Sequence, residues 1–258
     1  MKKVELLNYL QTEESKTISG WDFSYLDGRW ESEELPWNYK EIIFKYLKNN
    51  HKLLDIGTGG GEFLLTLNHP FSNTTVTEGY KPNYKLCMEK LAPKGIKVYN
   101  YVGDELFKLI GDEQFDIVIN RHESYNESEI YRILKPNGIF ITQQVGAFNN
   151  QDLATFFDKS HKNQFPEITL DKSIKRLTDN NFEIIYSKEH YPMLKFYDLG
   201  AIAYFAKIIE WEFINFSVKD NIDKFIVLQD ELKKTGYISS TEHRFIIVAT
   251  KKEVKTNE

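Results

Sequence analysis

Leu53-Leu54-Asp55-Ile56-Gly57-Thr58-Gly59-Gly60-Gly61-Glu62-Phe63-Leu64 is the stretch that decides the fold. An apolar run ends in an acid, turns through glycines and opens into a helical pattern, the order of strand, tight turn and helix that begins a βαβ unit. The glycines have to be read by position. A dinucleotide fingerprint requires GxGxxG so that a pyrophosphate can sit on the helix amino terminus, but the third position after Gly59 is Glu62, whose carboxylate would repel a diphosphate. No Gly-Lys-Ser or Gly-Lys-Thr is present, so a nucleoside-triphosphate P-loop is excluded. What remains is DxGxGxG, with Asp55, Gly57, Gly59 and Gly61 at its fixed positions.

Outward from this turn, short β-rich runs alternate with helical patterns, which argues for a mainly parallel sheet. The strand candidates are Lys52 to Ile56, Thr74 to Thr77, Lys97 to Val102, Phe115 to Asn120, Gly138 to Gln143, Phe182 to Lys188 and Phe245 to Thr250. Helical stretches lie between the first of them, at Glu62 to Leu67, Pro82 to Leu91 and Ser128 to Leu134, with a short turn at Glu105 to Ile110. Two segments fall outside the alternation. Residues 1–50 carry Trp21, Trp30, Trp37 and a helix beginning near Pro36 with Ile42, Ile43, Tyr46 and Leu47 on one face, which reads as a helical, aromatic cap. Residues 191–240 contain two amphipathic helices, roughly Tyr197 to Phe213 and Asp220 to Lys234. That insertion leaves the carboxyl end of the sixth strand, where open α/β sheets bind ligands, and reads as a lid. The core is expected over residues 51–190, and its final strand and tail over 241–258.

The DxGxGxG turn resembles that of the class I S-adenosylmethionine-dependent methyltransferases, and the resemblance continues in order along the chain. Thr75-Val76-Thr77-Glu78-Gly79-Tyr80 places an acid at the end of the second strand, Gly103-Asp104-Glu105-Leu106 matches the turn after the third, and Ile133-Leu134-Lys135-Pro136-Asn137-Gly138 matches the family's turn into the fifth. The resemblance covers about Leu53 to Gly146. It implies an α/β fold, a Rossmann-like seven-stranded mostly parallel sheet with the last strand antiparallel and helices on both faces, carrying the N-terminal helical cap and helical lid insertion. It also implies S-adenosyl-L-methionine as cofactor, held by Asp55, Gly57, Thr58, Gly59 and Gly61, by Glu78 and Gly79, by Asp104 and Glu105, and by Asn120. In the family the acid ending the first strand supports the cofactor's amino group, the acid ending the second accepts from the ribose hydroxyls, and the Asp of the third turn accepts from the adenine amino group. The bland alternatives are a turn-capping carboxylate for Asp55, a solvated loop acid for Glu78 and a helix N-cap for Asp104.

Methyl transfer from a sulfonium is an in-line displacement with a neutral thioether as leaving group, so alignment and water exclusion are the protein's main contributions. A base is needed only where the accepting atom is protonated and weakly acidic. Family likeness puts the methyl near Asn120-Arg121-His122-Glu123-Ser124-Tyr125, which makes His122 and Glu123 the candidate base and orienting group. A loop histidine is more often a hydrogen-bonded structural residue. Candidates for the acceptor pocket are Trp21, Trp37, Tyr125, Gln143, Tyr191 and Tyr197, each of which could instead be a packing anchor. The segment lacks the Asn-Pro-Pro-Tyr-like tetrapeptide of amino-directed nucleic-acid methyltransferases.

Composition narrows the partners. The 258 residues carry 33 Lys and Arg against 38 Asp and Glu, a net charge of -5 that lacks the positive surplus of nucleic-acid binders, although a local basic patch and an RNA acceptor stay open. Cys87 is the single cysteine and no CxxC or HxxxH spacing occurs, so neither an internal disulfide nor a metal site is expected, and a reducing, cytoplasmic compartment is. Glu5 and Asn8 interrupt any signal-peptide core, and Leu199 to Ala206 falls far short of the roughly 20 apolar residues of a membrane span. The expectation is therefore a methyltransferase acting on a small molecule, as monomer or homodimer and away from the membrane. An rRNA or tRNA base methyltransferase and a non-catalytic S-adenosylmethionine-binding subunit are the alternatives.

Overall fold

The structure, a computed structural model, describes residues 1–18, 20–100 and 109–252. Their strands, in chain order, are β1 (Trp30–Ser32), β2 (Leu53–Ile56), β3 (Thr74–Glu78), β4 (Lys97–Asn100), β5 (Phe115–Arg121), β6 (Leu134–Val145), β7 (Phe182–His190), β8 (Met193–Phe196), β9 (Ile238–Thr241) and β10 (Arg244–Lys251). The chain forms two compact units. One is assembled from Met1–Leu35, Gly146–Pro166 and His190–Arg244, the other from Pro36–Val145, Glu167–Glu189 and Phe245–Glu258.

The second unit is built on a seven-stranded sheet of order β4-β3-β2-β5-β6-β10-β7. β2 pairs in parallel with β3 and β5, β3 with β4, and β5 with β6. At the end of β10, Thr250 Oγ1 donates to Gly138 O at 3.2 Å and Lys251 Nζ to Leu134 O at 2.8 Å, beside the beginning of β6, so β10 runs antiparallel to it. These are the seven strands read from the sequence, in a Rossmann-like arrangement. The chain winds from β2 toward β4 and then back through β5, so the order reverses between β2 and β5, the kind of switch point at which open α/β sheets bind ligands.

Continuous apolar runs produce the sheet, because successive side chains of a strand point to opposite faces and both faces are covered. Phe245, Ile247 and Ala249 join Leu54, Ile56, Val118 and Phe140 in one cluster, which Ile130, Ile133 and Leu177 of helices Glu127–Ile133 and Leu170–Asp179 cover. Ile246 and Val248 join Leu53, Val76, Ile117 and Ile119 on the opposite face, under Ile42, Ile43, Leu64 and Cys87 of helices Tyr39–Tyr46, Glu62–Leu65 and Lys81–Lys90. Helix Tyr39–Tyr46 thus belongs with the sheet rather than with the amino-terminal segment. Helix Glu127–Ile133 ends just before the Leu-Lys-Pro-Asn-Gly turn, but the strand begins earlier than the Gly138 read from the sequence. Leu134 already pairs with Phe115, the register shifts between Phe115 and Ile117, and Asn137 takes φ 61°, which makes the turn an irregularity inside β6.

The first unit has its own core. Leu6 and Leu10, one turn apart on helix Lys3–Glu14, meet Leu26, Leu153, Phe157, Phe225 and Ile238 around helix Leu199–Ile208. Every residue of that helix from Leu199 to Ala206 is buried, which explains why the stretch is the most membrane-like in the sequence. Among the described residues, no helix is long and apolar enough to cross a membrane. Asp198 caps the helix by accepting from Ala201 N at 2.8 Å, and Arg29 binds both Asp198, at 2.6 Å, and Glu13, at 2.9 Å. A three-stranded antiparallel sheet, β1-β8-β9, completes the unit. The segment 191–240 therefore does not stand as a separate pair of helices. It shares one core with Met1–Leu35 and Gly146–Pro166.

Candidate functional site

The glycine turn is held from β3. Gly57 N and Thr58 N both donate to Thr77 O, at 3.0 and 3.1 Å, Gly59 N donates to Glu78 Oε2 at 2.8 Å, and Tyr80 N donates to Glu78 Oε1 at 2.8 Å. Glu78 thus clamps the turn after β2 to the turn after β3, which Gly79 continues. Gly57, Gly59 and Gly61 have φ of 70°, 64° and 82°, the left-handed region that glycine enters without steric cost. Space is as restrictive as backbone at two of them. A Cβ on Gly57 would lie 2.5 Å from Glu123 Cβ, and one on Gly61 would lie 2.7 Å from Leu91 Cδ1. The helix that follows, Glu62–Leu65, has only four residues and so offers a diphosphate little dipole.

The electrostatics of this turn are acidic. Asp55, only 6% exposed at the end of β2, is raised from 3.8 to about 6 by burial and by Glu78, with Thr58 and Arg121 opposing. Burial raises Glu78 as well, and Glu123 adds to the effect, while the N–H groups of Tyr80 and Gly59 oppose it. Cys87, whose Sγ donates to Gly59 O at 3.1 Å, is pushed up to about 12 by burial and by Glu78, Glu62 and Asp55, which makes it an inert thiol. The Thr58 hydroxyl lies near enough to Asp55 to favour the carboxylate, yet it is buried without a hydrogen bond of ordinary geometry. Clustered, incompletely compensated carboxyls repel phosphate and favour a cation and hydroxyl donors. A ligand with an ammonium, a sulfonium and ribose hydroxyls but no phosphate fits this donor set. S-adenosylmethionine is such a ligand.

Beyond the turn, the end of β5 is wired to β6 and to helix Tyr39–Tyr46. Asn120 is 0% exposed, and its Oδ1 accepts from Thr142 Oγ1 at 2.8 Å and Gln144 Nε2 at 2.6 Å, while Tyr39 Oη donates to Asn120 O at 3.0 Å. Its side chain is thus engaged within the sheet. Glu123 packs on Gly57, with Oε1 accepting from Ser124 N at 2.9 Å and Ser124 Oγ at 3.0 Å. His122 has φ 62°, its N donates to Gln143 O at 2.9 Å, and Gln143 Oε1 accepts from Trp37 Nε1 at 2.8 Å. Tyr125 is wedged edge-on against Phe140, at 4.9 Å between ring centroids, with its hydroxyl buried.

The structure therefore brings Asp55, Gly57, Thr58, Gly59, Gly61, Glu78, Gly79 and Glu123 together around one turn, and joins His122, Gln143 and Trp37 beside it. Trp21, Tyr191 and Tyr197 lie in the other unit, where Trp21 meets Trp211 edge-on at 5.8 Å, Tyr191 stacks on His243 at 4.7 Å and the Tyr197 hydroxyl donates to Glu31. Asp104 and Glu105 lie outside the described residues. Two contributors escaped the sequence reading. Tyr39 is raised well above its ordinary value by burial and by Asp55, and Arg121, which stands 4.6 Å over the Phe63 ring, draws Asp55 down. No residue pattern announces either, since both act through contacts made only on folding.

The fold is a Rossmann-like α/β sheet with an acidic glycine turn at its switch point, and comparison with known proteins bears on its class. Residues 54–142 match the family described as a methyltransferase domain. A Bacillus halodurans protein provisionally described as a methyltransferase is 17% identical, over 84% of this chain and 99% of that one, with a TM-score of 0.55. The YcgJ protein of Bacillus subtilis is 20% identical over 83% and 98%, at 0.53, and a protein of unknown function from Deinococcus radiodurans is 12% identical over 88% and 95%, also at 0.53. At these identities the likeness speaks for the fold. No curated protein matches the chain. Over residues 54–142 the chain thus matches a methyltransferase domain, set in a fold shared with these structures.

Proposed function

We propose that this protein transfers a methyl group from S-adenosylmethionine to a small-molecule acceptor by in-line displacement. The observation that carries the reading is the acidic glycine turn, in which Asp55 and Glu78 are buried at adjacent strand ends beside a backbone stripped of Cβ atoms. When bound, the cofactor supplies an electrophilic methyl on sulfur whose departure as a thioether needs no acid. Asp55 would hold the ammonium, Glu78 the ribose hydroxyls, and Gly57 and Gly59 would admit close approach of the ligand.

Glu123 is the proton acceptor where the accepting atom is protonated. Both Ser124 donors engage its Oε1, while Oε2 lies on the Gly57 side, 3.3 Å from where a Cβ there would stand. The net charge of -5 favours a small acceptor over a nucleic acid. The test is calorimetry and thermal protection with S-adenosylmethionine and S-adenosylhomocysteine against NADH and ATP, followed by labelled methyl transfer into a metabolite extract and into RNA. Adenosyl ligands should protect and low-mass species should carry the label. Protection by NADH or ATP alone would overturn the cofactor, and label confined to RNA would overturn the acceptor class.

A further inference from the structure

We propose that Trp37 and Gln143 are positioning residues that fix neutral His122 as its Nδ1–H tautomer. The inference deepens the reading above by assigning the histidine its part in that reaction. An indole N–H can only donate, so the 2.8 Å bond from Trp37 Nε1 requires the oxygen of the Gln143 amide, not its nitrogen, to face the indole. This settles the orientation of an amide that would otherwise be ambiguous. The Gln143 NH2 group then points the other way, where its nitrogen stands 3.4 Å from His122 Nε2. An NH2 group has no acceptor capacity. The pair therefore interacts favourably only if His122 Nε2 is the unprotonated nitrogen and the ring proton sits on Nδ1.

The backbone makes the arrangement hard to avoid. Arg121 pairs with Gln143 in the β5–β6 ladder, and His122 N donates to Gln143 O at 2.9 Å, so the histidine is tied to the residue whose side chain meets its ring. At φ 62° His122 occupies the left-handed region, a costly conformation for a residue with a Cβ that persists where its surroundings over-determine it. Trp37 is anchored in turn, packed against the cluster that includes Tyr39, Ile42 and Ile43.

The chemical consequence is a division of labour between neighbours. As a proton acceptor His122 would have to use Nε2, the nitrogen that the amide occupies. The ring therefore carries its proton at Nδ1 and does not serve as the base, and Glu123 takes the proton where one must leave.

The test reads the tautomer directly, in the absence of cofactor and acceptor, so its failure is distinguishable from failure of the methyltransferase reading. Long-range 1H–15N correlation of the histidine side chains is recorded at a pH where the rings are neutral, and the His122 signals are identified by their loss in His122→Asn, a residue that tolerates left-handed backbone. Wild type should show mainly Nδ1–H. Gln143→Glu replaces the donor with an acceptor and should invert the ring to mainly Nε2–H, while Trp37→Phe, which frees the amide to turn, should give a mixture. A purely structural Trp37–Gln143 contact would leave the tautomer unchanged in both variants. Wild type found mainly as Nε2–H, or a Gln143→Glu variant still mainly Nδ1–H, would overturn the proposal. If Gln143→Glu does not fold, the wild-type and Trp37→Phe spectra decide it.

Discussion

Asp55 occupies a position where its charge opposes folding. With a folded-state value of about 6 against an ordinary 3.8, the native state binds its proton more tightly than the unfolded chain does. The group therefore costs nothing below about pH 4, its penalty grows as pH rises toward 6, and above that the cost is roughly 3 kcal/mol. Asp55→Asn should accordingly melt several degrees higher than wild type at pH 7.5 while binding S-adenosylmethionine at least about tenfold more weakly. A variant with unchanged affinity would show that the acid does not meet the ammonium. In wild type, affinity for the cationic ligand should fall as pH drops below about 6, as titration calorimetry would record. The glycines separate strain from crowding. Gly61→Ala meets Leu91 at 2.7 Å at φ 82°, whereas Gly95→Ala meets nothing within 4 Å at φ 93°. Urea unfolding should show a loss of about 1 kcal/mol for Gly95→Ala and about 2–3 kcal/mol for Gly61→Ala. Asp55, Glu78, Gly57, Gly59 and Gly61 were legible because a strand end and a turn fix their places within a few residues. The Trp37–Gln143 and Tyr39–Asn120 bonds span 106 and 81 residues, and nothing local encodes them.

The same distinction governs whole elements. The seven strands of the large sheet could be read because Phe245-Ile246-Ile247-Val248-Ala249 and its neighbours send alternate residues into two separate clusters, leaving continuous apolar runs. β1, β8 and β9 are three or four residues long, and they are strands only because they pair across the chain, Trp30 with Phe196 and Phe196 with Ile238. Helix Leu199–Ile208 could be read as apolar but not as central. Its amino terminus carries a testable feature, for burial pushes the Asp198 carboxyl up while the Arg29 guanidinium, the Ala201 N–H and the Tyr9 hydroxyl together hold it below its ordinary range. That stabilisation is present above about pH 4 and is lost as pH falls through the lower folded-state value. Asp198→Ala removes both cap and ion pair and should cost about 2–3 kcal/mol near neutrality. Asp198→Asn keeps a capping oxygen and should cost less, and its deficit relative to wild type should shrink as denaturation is followed below pH 4. A constant deficit across pH would show that the charge contributes nothing.

At the scale of the molecule, each unit is stitched from separated stretches of chain and has buried clusters of its own. The first unit's cluster takes Leu6, Leu10 and Leu26 from the amino-terminal segment, while the two clusters flanking the large sheet take no residue before Tyr39. Deleting Met1–Leu35 thus removes three fully buried leucines and strand β1 from one core and nothing from the other two. Each buried leucine contributes roughly 2 kcal/mol, so the loss is comparable to the whole stability of an ordinary domain. The truncated chain should bind a hydrophobic dye and lose amide protection in helices Leu199–Ile208 and Val218–Thr235. Protection should survive in β2, β5 and β10, the strands of the sheet whose alternating faces stay covered, together with binding of S-adenosylhomocysteine at the turn that Asp55 and Glu78 frame. Hydrogen exchange read by mass spectrometry distinguishes the outcomes. If protection disappears from β2 and β5 along with the helices, the two cores fold as one cooperative body and the separation of their hydrophobic clusters has no energetic meaning.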